Sequence, residues 1–90
     1  MENLVNDIQK EFDKEHLFAS VYYNPYVDAI KWEIEWGDWK HDHLRSEYVF
    51  EDYCAEHGYE ATKLYSCTTE ENGSDCYSAL HAYRVNKKSA

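Results

Sequence analysis

The stretch Ile30-Lys31-Trp32-Glu33-Ile34-Glu35-Trp36, followed by Gly37-Asp38 and then by Trp39 to His57 with Gly58 behind it, decides the fold. Its first seven residues alternate large apolar and charged side chains. A strand with one buried face has that period of two; a helix does not. Gly37 breaks the alternation, and Asp38 offers an oxygen to cap a helix start. Residues 39–57 then read as one helix, roughly 28 Å long at about 1.5 Å per residue. Gly58 closes it, since glycine reaches the left-handed backbone region at low cost.

Upstream, residues 2–15 read as a helix with Leu4, Val5, Ile8 and Phe12 at helical spacing. Glu2 sits early and Lys10 and Lys14 late, which suits the helix dipole, and His16 is placed to end it. Residues 17–23 read as a strand with Ala19, Val21 and Tyr23 on one face and Phe18, Ser20 and Tyr22 on the other. Pro25 makes 24–28 a loop, because it lacks a ladder donor. The second strand, 29–36, turns Ile30, Trp32, Ile34 and Trp36 toward a helix layer and Lys31, Glu33 and Glu35 toward water.

Downstream, 60–69 and 75–85 read as strands joined at Asn72-Gly73, a type I′ hairpin signal. A two-residue loop there sets Cys67 opposite Ser78 and Thr69 opposite Cys76. Cys67 and Cys76 are then diagonal neighbours, too far apart for a disulfide. On the 39–57 helix the expected core stripe is Val49, Phe50, Tyr53, Cys54 and His57, with Leu44 and Arg45 earlier. Glu47, Glu51, Asp52 and Glu56 are expected on the opposite side. The order α-β-β-α-β-β predicts an α+β, two-layer sandwich in one domain spanning 1–90. Its four-stranded antiparallel sheet carries both helices on one face. The other face stays open, with Lys31, Glu33, Glu35, Tyr22 and residues of the second hairpin.

Ninety residues bury a modest core, which nine Tyr, three Trp and three Phe reinforce. Eighteen acids against nine Lys and Arg give a net charge of −9. That sign opposes direct nucleic-acid binding, which needs cations on phosphates. The acids are dispersed, so they describe a folded negative surface and not an acidic tail. No apolar run approaches a membrane span. The first residues lack the basic and apolar regions of a secretion signal, so a cytoplasmic protein is expected. Three cysteines without a CxxC argue for structural thiols.

Two clusters bear on chemistry. His41-Asp42-His43 has metal-ligand residue types, but on a helix positions two apart point to different sides. The structural expectation is an Asp38 cap, Asp42 in the first turns, and His43 meeting Glu47 at i,i+4. Cys54 and His57 are helical neighbours at i,i+3. Cys54 lies near the negative helix end on the buried stripe, where a thiolate is disfavoured. No pair of carboxylates, phosphate loop or nucleophile motif is singled out. The expectation is therefore no catalytic residue, cofactor or metal.

The segments Glu35-Trp36-Gly37-Asp38-Trp39-Lys40-His41-Asp42-His43 and Glu71-Asn72-Gly73-Ser74-Asp75-Cys76-Tyr77-Ser78 resemble motifs in short uncharacterised proteins of phages, prophages and mobile elements of gram-positive bacteria. The resemblance covers these two motifs only. It implies a setting in which small acidic proteins inhibit host defence, as anti-CRISPR proteins do. The expected function is a non-enzymatic module that binds a basic protein surface, as a nucleic-acid mimic. Its expected contact residues are Glu33 and Glu35 on the open sheet face, and Glu70, Glu71 and Asp75 at the hairpin tip. Glu47, Glu51, Asp52 and Glu56 form the alternative face. Two other readings stay open: an assembly protein dimerising through its Tyr-rich sheet face, and a metal protein using His41, His43 and Asp38 or Asp42.

Overall fold

The computed structural model describes the backbone of residues 2–35, 39–70 and 77–88, and the side chains of these except 35, 39–41, 67–70, 77 and 78. The elements are α1 (Glu2–Lys14), β1 (Ala19–Asn24), β2 (Ala29–Glu35), α2 (Trp39–Glu56), β3 (Tyr59–Glu70) and β4 (Tyr77–Lys87). They form one four-stranded sheet in the order β1-β2-β4-β3, with every neighbouring pair antiparallel. The α+β order expected from the sequence is the observed one. Because β4 lies between β2 and β3 and opposes both, α2 carries the chain over β4 from one flanking strand to the other. Among the described residues no helix is long and apolar enough to cross a membrane.

The core lies between the helices and one sheet face. Leu4, Ile8 and Phe12 of α1, Phe50 and Cys54 of α2, and Ile30, Trp32, Ile34, Tyr83 and Val85 of the sheet are buried together. Trp32 is at the centre. Its ring stacks on Tyr83 at 5.4 Å and on His81 at 5.0 Å, and meets Phe12 edge-on at 5.3 Å. The period-two pattern of β2 thus translates directly into burial of Ile30, Trp32 and Ile34.

The ends are set by local chemistry. His16 and Gly58 follow the two helices with φ of 58° and 75°, the left-handed geometry that stops a helix. In the β1–β2 turn the Asn24 side chain accepts from the Tyr26 amide at 2.9 Å, and the Tyr23 hydroxyl donates to Asp28 at 2.6 Å. The Gln9 amide covers the free edge of β1. It donates to the Ala19 carbonyl at 2.8 Å and accepts from the Val21 amide at 2.9 Å, as a further strand would. On the open face, Lys31 pairs across Ala82 with Tyr65, and its ammonium lies 5.4 Å from the Tyr65 ring centre. This covers Ala82, which is fully buried although it points away from the helices.

Two expectations are corrected. The second hairpin pairs Cys67 with Leu80 and Thr69 with Ser78, two positions away from the register of a two-residue loop at Asn72-Gly73. Between Tyr65 and Glu70 a shift of two leaves inward and outward positions as they were, so alternation cannot distinguish the two registers there. The turn itself, 71–76, lies outside the described residues, as do Trp36, Asp38 and Cys76. The buried stripe of α2 also differs. Leu44, Arg45 and His57 are exposed, whereas Ser46 and Glu47 are buried beside Phe50 and Cys54. The helix turns polar groups inward because the sheet offers them partners.

Candidate functional site

The sheet sets out two rows on its helix-facing side. One runs Val21–Trp32–His81–Ser66, the next Tyr23–Ile30–Tyr83–Lys63. Ser66 and Lys63 share this face only because of a β-bulge. The β3–β4 register shifts between Lys63 and Tyr65. Residues three apart on a regular strand point to opposite faces; the extra residue, Leu64, brings them to the same one. Above these rows, α2 presents His43 and Glu47, one turn apart.

These side chains form a continuous chain of contacts. His43 Nδ1 lies 2.9 Å from His81 Nε2. On the other side of the same ring, His81 Nδ1 lies 3.0 Å from Glu47 Oε1. Ser66 donates its hydroxyl to Glu47 Oε1 at 2.7 Å, and Lys63 Nζ donates to Oε2 at 2.5 Å. Beside the chain, Trp32 donates its indole N–H to Ser46 Oγ at 3.0 Å, and Ser46 donates to the His43 carbonyl at 2.9 Å. The ligating atoms of His43, Glu47 and His81 all lie within 4.8 Å of one another.

Electrostatics fixes the protonation pattern. Burial, with a contribution from His43, pushes the His81 pKa down to about 4, against the attraction of Glu47. At neutral pH the His81–Glu47 contact is therefore a hydrogen bond from a neutral imidazole, not an ion pair. Glu47 binds the Nδ1 proton, so Nε2 carries a lone pair aimed at His43. For Glu47, burial acts to raise its pKa, but hydrogen bonds from Lys63 and Ser66 and the Lys63 charge outweigh it and hold the carboxyl below its ordinary value. The Lys63 ammonium is raised in turn, chiefly by its bond to Glu47.

The expected contact residues separate. Glu47 is the correction among them. It is 7 % exposed and faces the sheet, because Lys63, Ser66 and His81 supply it with donors that hydropathy does not reveal. Glu51, Asp52 and Glu56 are exposed as expected, and Glu51 accepts from the Tyr83 hydroxyl at 3.0 Å. Glu33 is half-buried. Glu35 and Glu70 end β2 and β3, with side chains outside the description, and Glu71 and Asp75 lie outside the described residues. Asp52 and Glu56 line a groove of about 180 Å³ with Glu11 and Glu15, floored by Val49, Tyr53 and His57.

His41 and His43 both belong to α2, the His41 side chain lying outside the description, and His43 meets His81 across the core. Asp42 pairs instead with Arg45 at 3.4 Å. Cys54 is buried, and burial pushes its thiol up to about 11, while His57 is exposed and stacks on Tyr53. His81, Ser66 and Lys63 carried no signal in the sequence, apart from the polarity of His81 within an otherwise apolar run. No protein-family model, curated protein or solved structure matches this chain.

Proposed function

We propose that this protein is a small acidic binding module that docks on a basic protein surface through the outer face of its helix layer. The observation that carries the reading is the groove between α1 and α2. Glu11 of α1 and Glu15 in the turn directly behind it, and Asp52 and Glu56 of α2, line it in two i,i+4 pairs. Each pair places two carboxylates about one helical turn apart. The Tyr53 and His57 rings, stacked with centroids 4.0 Å apart, give the groove a flat floor for an aliphatic or guanidinium stem. Such a surface suits lysine and arginine side chains of a partner, including a surface that otherwise holds nucleic acid. An inhibitor of a nucleic-acid-binding or defence protein would work this way, by occupying the basic groove.

The test is capture from host lysate at low salt by the wild-type chain and by Glu11→Lys/Glu15→Lys/Asp52→Lys/Glu56→Lys. A basic protein held by the wild type, released at about 0.5 M salt and not held by the variant supports the reading. Equal capture by both, or none by either, overturns it.

A second reading rests on the open sheet face. Tyr22, Leu64 and Tyr65 are 49 %, 38 % and 42 % exposed there, an apolar offering for a second copy. Sedimentation at increasing concentration decides it, and a mass that stays monomeric removes it.

A further inference from the structure

We propose that His43 and His81 bind a late first-row divalent cation, of the Zn²⁺ class, with Glu47 as the carboxylate that orients His81. Three observations on the site support this. The two nitrogens, His43 Nδ1 and His81 Nε2, face each other at 2.9 Å. Two ligands of a tetrahedral Zn²⁺, bound at about 2.0–2.1 Å, stand about 3.3 Å apart. The pair therefore needs to open by a few tenths of an ångström and to tilt until both lone pairs meet at one ion, and His43, half-exposed on α2, is the side chain free to give.

The second observation is the back side of His81. Its Nδ1 is held by Glu47 Oε1 at 3.0 Å, the carboxylate–histidine arrangement that fixes a metal-binding tautomer and strengthens the ligand. Glu47 is itself fixed by Ser66 and Lys63, so the orientation is set before any ion arrives. The third is what the cluster replaces. His81 and Glu47 are 1 % and 7 % exposed, in a core that apolar residues would fill without desolvating a carboxylate. Imidazole donors select Zn²⁺ and its late first-row neighbours over Mg²⁺ or Ca²⁺, which prefer oxygen. His81 is closed to solvent, so the ion enters from the His43 side and water completes its coordination. The apo hydrogen bond between the rings is the placeholder that the cation displaces.

The test is calorimetric titration of Zn²⁺ into the chelator-treated full chain. It is run on the wild type and on His43→Ala, Glu47→Gln and His57→Ala, each first shown to be folded by circular dichroism. The expected result is one saturable site in the wild type and in His57→Ala, with a Tm rise of about 5–10 °C when free Zn²⁺ is about tenfold above Kd. His43→Ala loses at least about tenfold in affinity, and Glu47→Gln loses about 10–100-fold. With Zn²⁺, nitrogen chemical shifts move at His43 Nδ1 and His81 Nε2. No stoichiometric binding below about 1 mM overturns the proposal. So does full affinity in His43→Ala, which puts the ion on surface carboxylates, and so does full affinity in Glu47→Gln.

Discussion

Replacing Glu47 separates hydrogen bonding from charge at the centre of the protein. The carboxylate accepts from Lys63, Ser66 and His81. Glu47→Ala removes all three acceptors, at unequal cost. The His81 side chain is 0 % exposed, so its Nδ1–H cannot turn to water. Its remaining neighbour is Ser66 Oγ at 3.3 Å, a longer contact. An unsatisfied buried donor costs about 1–3 kcal/mol. The Lys63 side chain is 44 % exposed and its ammonium rehydrates, so its pair adds about 1 kcal/mol or less. The total is about 2–3 kcal/mol, a Tm fall of about 10–20 °C for a chain this small. Glu47→Gln keeps an oxygen for His81 and Ser66 but loses the charge and the acceptor of the exposed Lys63, so its expected cost is about 1 kcal/mol. Urea unfolding at pH 7 with chelator present measures both. Equal losses in the two variants would refute the assignment of most of the energy to the buried hydrogen bond. A loss below about 0.5 kcal/mol in Glu47→Ala would refute the network altogether.

Acid should weaken the fold before the surface carboxylates titrate. The folded pKa of His81, about 4, is depressed from its ordinary 6.5, so its contribution is full above 6.5 and declines as pH falls toward 4. That difference corresponds to about 3 kcal/mol, and Glu47, also depressed, extends the loss to lower pH. Urea midpoints between pH 7 and 4 should show this slope, and His81→Gln should flatten it; an unchanged slope in the variant contradicts the assignment. Deleting Leu64 removes the bulge and sends Lys63 or Ser66 to the open face. A folded but destabilised protein is expected, in which Glu47→Gln no longer costs its full increment, as a double-mutant cycle would read. Gln9→Ala uncovers the edge of β1, so amide exchange at Val21 should accelerate, with a stability loss of about 1 kcal/mol; unchanged protection at Val21 argues against the edge-covering role.

The fold was legible in the chain because its strongest signals are local. The alternation from Ile30 to Trp36 identifies a strand with one buried face, and the spacing of Leu4, Ile8 and Phe12 identifies a helix stripe. His16 and Gly58 stop the helices for backbone reasons that depend on no distant partner. Those features set the element order and which face of β2 meets the helices. The site was not legible, because its members come from α2, β3 and β4 and each alone resembles a surface residue. Glu47 looks like one more carboxylate among eighteen acids until the sheet presents Lys63, Ser66 and His81 to it. The two-residue offset next to the second hairpin's turn escaped for a related reason, since it leaves the faces from Tyr65 to Glu70 unchanged. The bulge is the clearest case. Only pairing against β4 reveals that the strand gains a residue at Leu64, and that one residue turns Lys63 and Ser66 onto the same side. Local periodicity thus determined the layers, while the polar centre between them arose from contacts that no single segment encodes.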